Sequence, residues 1–191
     1  MAASRLRITG GEARGTPLVE PRGLRLRPTS GLVREALFNI LGDTIVGARV
    51  LDLYAGTGAV GIESLSRGAA HATFVEGEAA GCQAILQSLA RTNLAARATV
   101  LRGRLPAALA SLPAPYDLIF MDPPYGLETA EETLHGAAAL VAPAGRLVYE
   151  HSSRYNPPER PAGLILQERR AYGDSALALY ARQEGALKEG E

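Results

Sequence analysis

The sequence predicts an α/β fold of the doubly wound kind, a mostly parallel sheet with helices on both faces. Two observations predict it. From residue 49 onward, short β-branched and aliphatic runs alternate with amphipathic segments of helix length, the rhythm of successive βαβ units. The first of those runs also leads straight into a glycine turn, Gly56-Thr57-Gly58-Ala59-Val60-Gly61, that opens a helix. With 191 residues and 47% hydrophobic composition, one well-buried domain with a small appendage is expected.

The elements follow in order. Leu6-Arg7-Ile8 and Thr16-Pro17-Leu18-Val19 read as short extended pieces separated by Gly10-Gly11 and Gly15. Thr29 or Ser30 caps a helix over 29–41 whose apolar stripe is Leu32, Val33, Leu37, Ile40 and Leu41. The alternation then begins: 49–53 is a strand and 59–67 a helix, 72–75 a strand and 79–92 a helix. A weaker strand at 98–101 precedes a short helix near 105–112. Residues 116–121 are a strand, 129–140 a helix and 146–149 a strand. The loop 152–162 breaks the rhythm, and 164–169 and 176–182 then form an antiparallel hairpin across Gly173-Asp174-Ser175 at the sheet edge. The chain is thereby divided into a basic arm with short strands, 1–28, a domain over 29–183 that includes its leading helix, and a polar tail, 184–191, expected to fray.

The 20 basic and 20 acidic side chains cancel, yet the charge is unevenly placed. Arginines 5, 7, 14, 22, 25, 27 and 34 stand against only Glu12 and Glu20 in the first part of the chain. A basic arm on a neutral body suits a phosphate-bearing partner. Arginine replaces lysine everywhere except Lys188, which is a matter of composition; clustering at one end is not. No apolar run approaches the ~18 residues of a membrane span, and the arginine-rich start lacks the apolar stretch of a secretory signal. The single cysteine, Cys82, excludes an intramolecular disulfide and reads as an inert core thiol. His71, His135 and His151 stand far apart with no ligand spacing, so no metal is expected. These features fit a cytoplasmic protein, with no membrane partner, expected to be a monomer.

Two motifs carry chemistry. The strand 116–121 ends in Asp122-Pro123-Pro124-Tyr125, which cannot continue a sheet because neither proline donates a ladder hydrogen bond. The segment holds a carboxylate, outward backbone carbonyls and a flat ring in one cluster, the parts needed to grip a planar amine. By itself it reads equally well as a strand-ending turn. The second motif runs from Val50 to Gly61. Gly56, Gly58 and Gly61 match the dinucleotide fingerprint, and Glu76 lies about twenty residues on, where a ribose-binding acid belongs. A nicotinamide or flavin enzyme is therefore a serious rival reading. Asp52 tilts the balance: a carboxylate just before the turn would repel a pyrophosphate held there, but would attract the ammonium and sulfonium of S-adenosylmethionine. A helix-capping acid or a solvated strand end is the plainer reading of Asp52. In a doubly wound sheet the first and fourth core strands are neighbours, so a donor beside Asp52 and an amine beside Asp122 would lie side by side.

The glycine motif with Asp52, Glu76 and the Asp-Pro-Pro-Tyr tetrapeptide resembles a class I S-adenosylmethionine-dependent amino-methyltransferase of Rossmann-like fold. The tetrapeptide is shared with DNA and other RNA methylases acting on adenine N6 or cytosine N4, so the acceptor stays open at that point. Arg7-Ile8-Thr9-Gly10-Gly11 with Arg14-Gly15, Leu26-Arg27-Pro28-Thr29 and Val33 to Leu41 narrow it: they resemble the RsmD family, over about residues 5 to 183. The resemblance implies methylation of a guanine N2 in 16S ribosomal RNA, free or in an assembling small subunit, with S-adenosylhomocysteine as product. It implies cofactor contacts from Asp52, Tyr54, Ala55, Gly56, Gly58, Glu76, Gly77, Gly103 and Arg104, catalysis by Asp122, Pro123 and Tyr125, and RNA contacts from Arg7, Arg14, Arg27, Thr29 and Arg34. Two departures stand out. Ser30-Gly31-Leu32 occupy a place where members often carry Thr-Asp-Arg, and Gly103-Arg104 replace an acid or amide that meets the adenine amino group. Asn156-Pro157-Pro158-Glu159 imitates the tetrapeptide but follows no apolar strand and lacks the aromatic.

Overall fold

The computed structural model describes residues 6–21 and 31–183, and the alternation from residue 49 becomes one seven-stranded sheet. Its strands are β1 (Arg49–Leu53), β2 (His71–Glu76), β3 (Ala98–Arg102), β4 (Tyr116–Met121), β5 (Val141–Ser152), β6 (Leu164–Tyr172) and β7 (Ser175–Arg182). They lie in the order β3-β2-β1-β4-β5-β7-β6. β1 pairs in parallel with β2 and β4, β2 with β3, and β4 with β5, while β7 runs antiparallel to both β5 and β6. The predicted edge hairpin therefore exists, and its returning strand is inserted inside the edge.

Among the described residues, four α-helices cover the sheet: α1 (Gly31–Leu41), α2 (Ala59–Ser66), α3 (Ala79–Thr92) and α4 (Ala130–Ala138). Alternation along the central strands sorts their side chains into two cores. Val50, Leu118, Phe120 and Val148 join one core with Leu37, Ile62 and Ile85 of α1, α2 and α3. Leu51, Leu53, Ile119, Met121 and Leu147 join the other with Leu134 and Ala137 of α4. Burial on both faces is why these strands read as continuous apolar runs.

Two elements differ from expectation. The segment near 105–112 forms only a five-residue 3-10 turn, Ala107–Ser111, because Pro106 starts it and Pro113 and Pro115 leave it no room to propagate. β5 is far longer than 146–149. Its early half, interrupted in sequence by Pro143 and Gly145, still pairs with β4 through a register shift between Tyr116 and Leu118. Gly145 is required there: a Cβ would lie 2.9 Å from the Tyr116 carbonyl oxygen.

Residues 6–21 form a hairpin docked on the domain. Ile8 donates to the Thr16 carbonyl at 3.1 Å and Leu18 to the Leu6 carbonyl at 2.9 Å. Ile8, Ala13 and Leu18 are buried in the core shared with α1 and α2. The hairpin turn sits against the end of α2, where Glu12 N–H donates to the Ser66 carbonyl at 2.8 Å and Ala13 N–H to Ser66 Oγ at 2.9 Å. Gly11 must be glycine, since its φ is +77° and a Cβ would fall 1.9 Å from that carbonyl oxygen.

One expected RNA contact is corrected here. Arg34 is 2% exposed, with Nε donating to Glu63 Oε2 at 3.0 Å and Nη2 to the Arg7 carbonyl at 2.6 Å. The apolar stripe of α1 turns this position inward with Val33, Leu37 and Phe38, so the guanidinium neutralises Glu63 and does not reach a phosphate. Glu63, fully buried, also accepts from Thr9 and Arg67. It thus joins hairpin, α1 and α2. Arg7 and Arg14 are exposed, although Arg7 Nη1 donates to the Gly15 carbonyl at 2.8 Å within the hairpin. Arg27, the two candidate helix caps Thr29 and Ser30, and the tail 184–191 lie outside the described residues.

Candidate active site

The carboxyl ends of β1, β2, β4 and β5 open into a cavity of about 800 Å³ at the switch between β1 and β4. This is where an open α/β sheet places its ligand. A smaller hollow of about 340 Å³ lies at the amino end of the strands, beside Gly47 and Asp117, and gathers no comparable chemistry.

The turn after β1 is built from left-handed residues: φ is +58° at Tyr54, +55° at Gly56 and +71° at Gly58. Glycine adopts this freely; tyrosine does not, and such strain concentrates at ligand sites. Tyr54 is held by its hydroxyl, 2.8 Å from Thr133 Oγ1 on α4. Two carboxylates cap the turn. Asp52 Oδ2 accepts from Gly61 N–H at 2.9 Å, so it does cap α2, from the end of the strand. Glu76 Oε2 accepts from Gly56 N–H at 2.7 Å and Oε1 from Glu78 N–H at 2.8 Å. Gly81 lets α3 approach this closely, because a Cβ there would lie 2.7 Å from Glu76 Cγ.

Burial pushes the Asp52 carboxyl up to about 7; the Gly61 hydrogen bond opposes the rise and the neighbouring Glu76 charge adds to it. A carboxylate held under such conditions favours a cation beside it. Tyr149 is raised to about 12, by burial first and then by the charges of Glu131, Tyr54 and Asp122, so it stays protonated.

On the opposite wall stand Asp122, Pro123, Pro124 and Tyr125. Asp122 is half-buried, and its N–H continues the ladder toward the Leu53 carbonyl at 3.5 Å. Pro123 is buried and Tyr125 is 42% exposed. Tyr125 Oη lies 2.7 Å from Ser175 Oγ at the start of β7, which ties the tetrapeptide loop to the edge hairpin. The look-alike at 156–159 lies outside the cavity; the Pro158 carbonyl accepts from Tyr180 Oη at 3.0 Å.

Asp52, Tyr54, Ala55, Gly56, Glu76, Gly77, Gly103 and Arg104 all line the cavity together with the tetrapeptide. Gly58 does not. It packs against α3, where a Cβ would meet Ile85 Cγ1 at 2.9 Å, and its left-handed backbone shapes the turn. Sequence reasoning missed Glu150 and the hairpin residues Tyr172, Asp174 and Ser175, which close the cavity on the β5 side. Glu150 was findable, because it directly follows the strand 146–149 expected from the sequence, and that strand lies beside β4. The hairpin residues carry no local signal beyond a turn. Cys82 is buried, and burial raises its thiol pKa, as an inert thiol requires. Among the described residues no cluster of His, Cys, Asp and Glu is placed to hold a metal ion.

Comparison with known proteins agrees with this geometry. Residues 6–181 match the family described as Conserved hypothetical protein 95. The chain is 38% identical to the Ribosomal RNA small subunit methyltransferase D of Escherichia coli K12, over 95% of this chain and 92% of that one. It superposes on the solved structure of yhhF from Escherichia coli with a TM-score of 0.83 and 37% identity, covering 94% of this chain and 99% of that one. A hypothetical protein from Thermus thermophilus gives a TM-score of 0.75 and 33% identity, over 93% and 99% of the two chains.

Proposed function

The chain belongs to the RsmD family, and from that premise we propose that it transfers a methyl group from S-adenosylmethionine to the exocyclic N2 of a guanine in 16S ribosomal RNA. Methylation of ribosomal RNA is what its Escherichia coli and Haemophilus influenzae relatives are named for; the acceptor atom is the added step.

The observation that carries the reading is the use of the glycine turn. In a dinucleotide site the turn and helix start offer N–H groups to a pyrophosphate. Here Gly56 N–H is taken by Glu76 and Gly61 N–H by Asp52, which puts two carboxylates where a phosphate would sit. The set repels an anion and suits a ligand that is cationic at one end and carries a ribose at the other. Asp52 would face the cationic part, Glu76 the ribose hydroxyls, and Gly77, Gly103 and Arg104 the adenine side. S-adenosylmethionine supplies a methyl group on a positively charged sulfur.

The remaining chemistry belongs to the tetrapeptide. The guanine amine is a poor nucleophile because its lone pair is delocalised into the ring. Asp122 and the Pro123 carbonyl accept its two N–H bonds, which positions the nitrogen and favours its rehybridisation. Tyr125 supplies a face for the base, worth on the order of 1–3 kcal/mol. A base gripped in this way is unstacked, which suits a loop guanine. The exposed Arg7 and Arg14, with Arg27 and Thr29, would hold flanking phosphates.

Purified protein incubated with 16S rRNA and S-adenosylmethionine, followed by nucleoside mass spectrometry, tests the proposal. N2-methylguanosine is expected. Asp122→Ala should bind S-adenosylmethionine with unchanged affinity in calorimetry and form almost no product. NADH binding without S-adenosylmethionine binding, or full turnover by Asp122→Ala, would refute it.

A further inference from the structure

We infer that Glu150 is the residue that selects the acceptor base, by accepting the ring N1–H next to the amine held by Asp122. The inference rests on the guanine reading above and explains how the site would choose it.

The placement follows from register. The parallel pairing of β4 and β5 ends with Met121 opposite Tyr149. Asp122 and Glu150 are the next residues on the two strands, which lie about 4.8 Å apart. Strand alternation puts them on the face of Phe120 and Val148, and both line the cavity. Glu150 is only 4% exposed and stands opposite Leu177 of β7 in the antiparallel ladder. Its position is therefore set by the antiparallel ladder with β7, one residue past the last pair with β4, and a strand holds a group more precisely than a loop does. Two carboxylates thus stand abreast on the wall that receives the base.

The bases differ in what adjoins their amine. Guanine carries N1–H beside N2, so its edge offers three donors and matches two carboxylates and one carbonyl. Adenine presents the bare N1 beside N6, and cytosine the bare N3 beside N4. Either would set a lone pair against Glu150. The tetrapeptide accepts any planar amine; the neighbouring carboxylate adds the discrimination. A site built to receive a donor rejects an analogue lacking it far more strongly than an apolar pocket rejects a change of shape.

The test compares two purines that carry the same exocyclic N2. RNA fragments spanning the methylated position, located by mass-spectrometric mapping, are synthesised with guanosine or 2,6-diaminopurine riboside there. Diaminopurine keeps the N2 amine and replaces N1–H with a bare nitrogen. Wild-type protein is expected to favour guanosine in kcat/KM by about 10- to 100-fold. Glu150→Gln, which can donate as well as accept, should shrink that ratio at least several-fold with S-adenosylmethionine affinity and melting temperature held. Wild-type protein that does not discriminate overturns the assignment, as does a Glu150→Gln ratio equal to wild type whatever its absolute rate. Methylation of neither purine by wild-type protein overturns the guanine reading itself, and the assignment with it.

Discussion

Replacing Arg34 with methionine is expected to destabilise the fold by about 3 kcal/mol while leaving the cavity unaltered. The magnitude comes from burial. The Arg34 and Glu63 side chains are 2% and 0% exposed, and the substitution deletes the 3.0 Å ion pair and the 2.6 Å hydrogen bond to the Arg7 carbonyl. Methionine fills similar volume, so little of the loss is cavity formation. Removing one partner of a buried pair costs about 3–5 kcal/mol because the other charge is left behind. Glu63 keeps Arg67 at 2.8 Å, 27% exposed, which places the loss near the lower end. With a urea dependence of about 2 kcal/mol per molar, the unfolding midpoint falls by about 1.5 M. Because the pair is dry, 1 M salt, which shortens the screening length to about 3 Å, should recover little of that difference. Equilibrium urea unfolding of wild type, Arg34→Met and Arg34→Lys at low and high salt is the assay. A midpoint within about 0.25 M of wild type, corresponding to the ±0.5 kcal/mol of ordinary surface substitutions, would refute the reasoning. It would return Arg34 to the role of a surface cation.

Two further outcomes follow from the site. Folding raises the Asp52 pKa from 3.8 to about 7, so its contribution to stability is fully present below about pH 4 and is lost as pH rises through about 7. Asp52→Asn should flatten that fall. A cationic donor needs the ionised form, so calorimetric affinity for S-adenosylmethionine should climb from pH 6 to 7 and level off by pH 8; a flat wild-type profile would contradict this. Gly61→Ala would bring a Cβ within 2.3 Å of Phe74 Cε1, in a ring that is fully buried and cannot swing aside. A loss of about 1–3 kcal/mol is expected from overpacking, seen as a lower melting temperature; an unchanged melting temperature would show that the α2–β2 contact is loose.

Local pattern carried most of the architecture into view. Residues 79–92 and 116–121 read from the sequence as helix and strand are α3 and β4 to the residue, because their periodicity and flanking breakers are unambiguous. The cavity's central residues were legible as well: Asp52, Glu76 and Asp122 each end a strand, and strand ends at a switch point converge whatever the rest of the chain does. β5 was read too short, since Pro143 and Gly145 look like breakers until the register shift pairs Tyr116 with Val141 and Leu118 with Arg146 on either side of them.

What the sequence determined by itself was the alternation, the sheet's two apolar faces and the pair of motifs that meet at its carboxyl edge. Those depend on neighbours along the chain, where period and turn chemistry suffice. Only the tertiary structure decided which charges are spent inside the fold. Arg34 and Arg7 both belong to the arginine-rich first part of the chain, yet Glu63, 29 residues after Arg34, draws one of them into the core. Glu150 became a wall of the site only once β5 lay beside β4, and Ser175 met Tyr125 only across 50 residues of chain. A charge's role is set by the dielectric and the partners around it, and these are supplied by residues remote in sequence.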